Sequence, residues 1–270
     1  MNTKQKITAI ASAALLISCG DASGDLVNLD PVQVPTAVTK MLKKVTATNT
    51  ATGQVNTDIY NYTSGKLTTV VDGESSMNYK LEYNNAQISK ITATTMTAQP
   101  WASSTLTHTG AQLTAITGTI SPDITFQSTL SYTAGKLTSF VTNYYMVGVP
   151  AVERKKTINL EYSGENVSKA IIEDQYFNVP STTSKTVIFS NFDANPNPYR
   201  TLPTEFTIVK GLLTQKDDAF AGLSVNNYKT ITVQAAGVTN TENITLTYDQ
   251  QTYPNQAVSP SVSKNFEYLP

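Results

Sequence analysis

A single pattern, repeated five times, restricts the fold of this chain more than any other feature. The unit begins with an aliphatic residue or Tyr, one intervening residue and an aromatic. Four connecting residues follow, then an aliphatic, two more residues and an apolar side chain. Its copies run through Tyr60, Tyr62, Leu67 and Val70, then Leu81, Tyr83, Ile88 and Ile91. They continue through Leu106, His108, Leu113 and Ile116, and through Leu130, Tyr132, Leu137 and Phe140. The fifth is Leu160, Tyr162, Val167 and Ala170. Repetition at this period marks a supersecondary unit that cannot bury its apolar face alone. The connections, residues 63–66, 84–87, 109–112, 133–136 and 163–166, centre on small, Gly- or Asn-containing pairs. Such pairs tolerate the positive φ of tight hairpin turns, so each unit reads as a β-hairpin. The spacing of three between the outgoing apolar residues breaks strand alternation; a β-bulge after the turn repairs it, and the rival is one apolar residue facing the other way.

The sequence therefore predicts an all-β fold. Tandem hairpins make an antiparallel meander, which buries its apolar face by curling into a curved sheet or barrel-like structure, with at most one or two short helices. An initial strand at 45–48 is expected to pair with residues 59–62. The repeat fades after residue 176, where residues 192–199 form a Pro- and Asn-rich loop. Acidic Asp217 and Asp218 followed by Gly222 suggest one short helix over 216–222. Strands resume at 230–234 and 244–248, and residues 266–268 close the chain. No linker divides residues 36–270, which read as one domain.

The N-terminus carries a destination. Lys4 and Lys6 precede an apolar run over residues 7–17, too short for a permanent transmembrane helix and suited to a secretory signal. Leu16, Ile17 and Ser18 before Cys19 resemble a lipobox, the signal-peptidase II site of bacterial lipoproteins. The resemblance implies removal of residues 1–18 and acylation of Cys19, with residues 19–35 as a tether. Cys19 is the one cysteine in the chain, so it has no disulfide partner. Several acyl chains together anchor stably, at about 0.8 kcal/mol per buried methylene. The expected location is the cell envelope, lipid-anchored at the outer membrane, with the face it presents left open.

The Tyr-x3-Gly-x-Leu form of the first and fourth hairpins resembles two groups. One is the YD-type repeat of large shell-forming surface proteins, but the aspartate after Tyr is missing in all five copies. The closer likeness is to uncharacterised Bacteroidetes-type lipoproteins, a domain of unknown function with a porin-like fold. That likeness spans the lipobox, the hairpins, and an Asp–Asn–Pro–Tyr loop matched by Asp193, Asn197, Pro198 and Tyr199. It implies a curved or barrel-like antiparallel sheet and brings no activity with it.

Chemistry is harder to find. A net charge of −1 offers no basic field for nucleic acid. His108, the sole histidine, occupies the aromatic slot of the third hairpin, so it reads as a half-buried aromatic substitute. One His and no free Cys give no metal site, and no glycine-rich phosphate loop implies a cofactor. Glu82 and Glu161 lie opposite the apolar face of their hairpins and read as solvated strand residues. Five aromatics, Trp101, Tyr144, Tyr145, Tyr176 and Phe177, sit beyond hairpin ends as candidates for stacking on a sugar ring; for Tyr144 and Tyr145 the alternative is one ring buried and one on the sheet surface.

These observations favour a non-catalytic, lipid-anchored binding or structural module, with a glycan or envelope protein as partner. One alternative is a carrier holding a hydrophobic ligand in a barrel lumen, which demands a lined cavity. Another is a glycan hydrolase, which demands two carboxylates about 5–10 Å apart in a cleft.

Overall fold

The computed structural model describes residues 40–269 apart from 215, 217 and 218. The expected signal peptide, lipobox, Cys19 and tether lie outside these residues, as do Asp217 and Asp218.

Twelve strands precede a long irregular segment. The first is β1 (Met41–Asn49). The five repeats are the hairpins β2 (Val55–Thr63) with β3 (Lys66–Asp72), β4 (Met77–Asn84) with β5 (Gln87–Thr95), β6 (Pro100–Thr109) with β7 (Gln112–Ile120), β8 (Ile124–Thr133) with β9 (Lys136–Met146), and β10 (Arg154–Ser163) with β11 (Asn166–Tyr176). β12 (Ser181–Ser190) follows, then a segment containing the helix α1 (Thr204–Thr214). The chain returns as β13 (Thr230–Ala235), β14 (Val238–Asn243), β15 (Thr245–Tyr248), β16 (Pro254–Val258) and β17 (Val262–Leu269). Each strand pairs antiparallel with its sequence neighbour, apart from β14 and β15, and β17 pairs with β1, so the meander curls into a nearly closed barrel. β14 and β15 run on from each other through Ile244. The first pairs with β13 and the second with β16, leaving a seam in the ring.

The hairpins fold as their residues dictate. In every two-residue turn the first position has positive φ: Ser64 (50°), Asn85 (58°), Gly110 (62°), Ala134 (50°) and Gly164 (58°). A bulge follows each turn, and the extra residue is always Ser or Thr: Thr68, Ser89, Thr114, Thr138 and Ser168. Each of these hydroxyls donates to a carbonyl on the incoming strand at 3.2–3.3 Å. The bulge thus restores the alternation that the spacing of three disturbs, and both apolar residues face inward.

The aromatics add a link between hairpins that the spacing does not announce. Beyond each bulge the ladder to the next hairpin begins two residues late, leaving the first aliphatic residue outside the register. Tyr83, Tyr132 and Tyr162 donate their hydroxyls to the carbonyls of Leu67, Leu113 and Leu137, at 2.8–2.9 Å. Tyr62 does the same to Leu42 on β1. Each such bond contributes roughly 1 kcal/mol. His108, at the aromatic slot between Tyr83 and Tyr132, has no hydroxyl to offer Ile88.

Outside, the wall is polar: Lys80, Glu82, Thr105, Thr107, Thr129 and Glu161 all point to solvent. Inside lies the core, including Tyr60, Tyr79, Ile91, Ile116, Phe140 and Phe189. A membrane-spanning barrel has the reverse polarity. No helix among the described residues is long and apolar enough to cross a membrane.

Two expectations are corrected. β1 pairs with residues 55–59 in place of 59–62, because its loop to β2 is short and organised by Asn49, whose side chain accepts from the N–H groups of Ala51 and Thr52. The helix forms at Thr204–Thr214, and of the described residues in 216–222, Ala221 and Gly222 belong to a single 3-10 turn, Ala221–Leu223. Buried Phe206, Ile208, Val209 and Leu212 point to several sides of α1, so it lacks the amphipathic period that would mark it.

Candidate functional site

The described residues of the segment 191–229 pack against the inside of the barrel. Its Phe206 ring meets Tyr79 on β4 at 5.5 Å, and Phe220 meets Phe140 on β9 at 5.2 Å. Tyr228 meets Phe189 on β12 at 5.0 Å, and Tyr199 meets Phe266 on β17 at 6.0 Å. A segment touching the inner faces of strands so far around the ring is a plug. Gly211 on α1 is required for it: a Cβ there would stand 2.9 Å from Phe220 Cε1.

Charge locks the plug to the wall. Lys210 on α1 reaches Asp72 at 2.9 Å and Asp58 at 3.2 Å, two inward residues directly opposed on β3 and β2. Lys216 continues the network to Glu74 at 2.8 Å. Burial pushes the Asp58 carboxyl up despite Lys210. At Asp72 burial acts in the same direction, but Lys210, Lys216 and the N–H of Ser75 prevail and hold it below the usual range. The Lys210 ammonium is desolvated, yet Tyr60, Asp58 and Asp72 raise it well above its ordinary value. At the other end of α1, Glu205 lies 3.5 Å from His108 Nε2, so the hairpin lacking a tyrosine faces the start of the helix.

The plug fills only part of the lumen. Between it and β13–β17 lies a cavity of about 350 Å³, whose wall includes Ile231, Val233, Leu246, Ala257 and Phe266, with Tyr199 and Tyr228 on the plug side. Glu74, Lys216, Glu242, Ser261 and Lys264 also line it, so an apolar body and charged groups share one space. Volume and lining suit a small-molecule site. The Asp–Asn–Pro–Tyr loop builds one side: Asn197 accepts from the N–H of Tyr199 and donates to the carbonyls of Ala221 and Ser224, which presents Pro198 and Tyr199 to the cavity. Asp193 accepts from Asn227 and from the hydroxyl of Tyr248.

The five candidate aromatics do not make one surface. Tyr144 is buried, facing inward on β9, while Tyr145 faces out. The corrected placement of Tyr144 follows from strict strand alternation. Trp101 faces outward on β6, three strands from Tyr145, at 36% exposure. Tyr176 sits beside Tyr144 through Arg154, whose guanidinium lies 5.0 Å from one ring centroid and 5.3 Å from the other. Phe177 is exposed just past β11. Glu82 and Glu161 point outward on β4 and β10, paired with Lys80 and Lys169. The carboxylates that do approach each other, Asp58 and Asp72, share Lys210, and the space beside Asp58 is about 70 Å³, too small for a sugar ring. Among the described residues no group of three or more His, Cys, Asp and Glu could hold a metal ion. Sequence reasoning missed the cavity lining altogether.

No family model matches the chain, and no curated protein does. Solved structures do. A porin-like protein from Bacteroides vulgatus is similar with a TM-score of 0.59 at 13% identity, over 86% of this chain and 100% of its own. A porin-like protein from Bacteroides uniformis has a TM-score of 0.52 at 13% identity, over 84% and 98%. At such identity the likeness concerns the fold, and the fold of this chain is that of these porin-like barrels.

Proposed function

We propose that this protein is a lipid-anchored envelope barrel that binds a small amphipathic molecule in the unfilled part of its lumen and catalyses no reaction. The observation that carries the reading is the cavity of about 350 Å³, apolar over most of its wall and bordered by Glu242, Lys216 and Lys264. The apolar part accommodates a hydrocarbon body, and the charged residues a polar head. A glycan or envelope-protein partner on the outer surface has less support, since Tyr144 is buried and Tyr176 is engaged by Arg154. The carboxylates weighed for glycan hydrolysis are solvated and six strands apart.

Titration with a dansyl-labelled fatty acid is expected to give a saturable fluorescence rise. Ala257→Trp, which fills the cavity from β16, is expected to weaken binding at least roughly tenfold. Failure of the dye to saturate, or equal binding by the variant, refutes the cavity reading. The anchor is tested separately. Cells making the protein and fed radiolabelled palmitate are expected to label it, and Cys19→Ala to abolish the label; a variant that still carries label overturns the anchor.

A further inference from the structure

A second cavity, of about 440 Å³, lies against β10, β11 and the free half of β12, bounded by Lys156, Ile172, Asp174, Thr183, Lys185 and Ala235. Lys156 points into it from β10 and is only 3% exposed. Among the described residues no hydrogen bond or ion pair reaches its ammonium. A buried charge without a partner is costly, and the neighbours do not relieve it. Inward positions on five successive strands form one row across the wall: Ser128, Thr142, Lys156, Asp174 and Thr183. Ser128 and Thr142 bond each other at 2.7 Å. Asp174, the one carboxylate among the described residues that bound the cavity, is taken by Arg154 at 2.8 Å, and that guanidinium is packed between Tyr144 and Tyr176.

Access and further donors are present. Residues 181–184 of β12 pair with β11, but the register to β13 begins only at Lys185. Among the described residues one edge of that stretch therefore has no ladder partner, and its hydroxyls from Thr182, Thr183 and Ser184 are exposed beside the cavity. The Lys156 ammonium and these hydroxyls together suit an oxyanion.

We propose that this cavity is a second binding site, distinct from the lumenal one, for a small oxyanion, a carboxylate or phosphate group, whose charge is held by Lys156. Burial lowers the Lys156 ammonium to about 8, with Arg154 and Lys185 acting in the same direction and Asp174 opposing them. The lysine is therefore charged at neutral pH and ready to pair with an anion, and it loses that capacity just above.

The test is calorimetric titration of the purified protein with succinate and, separately, with inorganic phosphate. At least one is expected to bind saturably; the tighter of the two identifies the headgroup class. Lys156→Met is expected to weaken binding at least roughly tenfold, whereas Lys155→Met, on the outward face, leaves it unchanged. In the unmodified protein, affinity for either dianion is expected to fall between about pH 7.5 and about pH 9.5 as Lys156 loses its proton; Arg154, Asp174, Lys185, Tyr144 and Tyr176 are the other titratable groups around the site. Saturation by neither anion overturns the proposal. So does binding by Lys156→Met within twofold of the parent, or, should that variant not fold, an affinity that does not change over this pH range.

Discussion

Lys210→Met is expected to destabilise the barrel by about 3–5 kcal/mol, the cost of breaking a buried ion pair from one side. The ammonium stands 2.9 Å from Asp72, whose side chain has no exposure, and 3.2 Å from Asp58. Without it two opposed carboxylates remain inside the lumen, each desolvated and each repelling the other. Urea denaturation of parent and variant measures the loss. Adding Asp58→Asn and Asp72→Asn to the variant should recover most of it, because the uncompensated charge is then gone. A loss below about 1 kcal/mol would mean that water or protonation relieves the pair and that Lys210 is not what holds the plug. Acid acts on the same network. The Asp72 carboxyl is held below its ordinary 3.8, so its contribution is present above that pH and is lost as the pH falls further.

Lys156→Met should have the opposite sign, stabilising the protein by about 1–3 kcal/mol at neutral pH. Here the lysine is buried with no paired carboxylate, and its replacement by an apolar chain of similar length removes a desolvation penalty. The pH dependence has a definite direction. The folded-state value of about 8 lies below the ordinary 10.5, so between these limits the unfolded chain binds more protons. Stability contributed by this group therefore rises with pH from about 8, and the rise should be absent in the variant. The comparison is best made below the range where the tyrosines matter: burial pushes Tyr62 and Tyr132 up to about 12, and such groups lose stability above their ordinary 10. Thermal or urea melts across this window decide the matter. A Lys156→Met variant less stable than the parent would show that the ammonium is satisfied in the folded state. Two buried lysines in one barrel thus differ in role: one fastens the plug, and the other is kept at a cost in stability that binding would offset.

Much of this fold is legible in the chain, and the boundary of legibility is physical. Hairpins are local, so residues such as Ser64, Gly65 and Thr68 announce turn and bulge within a few positions of each other. Closure is not local: β1 meets β17 across more than two hundred residues, and nothing near Val45 or Phe266 advertises the partner. The plug is invisible for another reason. α1 is enclosed over most of its surface, so apolar Phe206, Ile208, Val209 and Leu212 do not fall on one side of it, and a β-branched run with Gly211 reads as anything but helix. The lumenal cavity escapes because it is defined by what Val233, Leu246 and Ala257 do not fill. Lys156 looks, in sequence, like one member of the solvated Arg154, Lys155, Lys156 run. Only strand alternation, applied with the sheet's inward face known, sets it apart from Lys155.

The seam at Ile244 bears on mechanics. A ring whose ladder is continuous resists ovalisation everywhere, since any change of cross-section must stretch hydrogen bonds. Here the run from Val238 to Tyr248 lends its first half to β13 and its second half to β16, so the hoop is split at one point on its circumference. That point lies beside the lumenal cavity, whereas from β1 to β13 the ladder passes unbroken from strand to strand. The barrel is therefore expected to open first on its cavity side, and faster amide exchange in β14–β16 than in β4–β9 would show it.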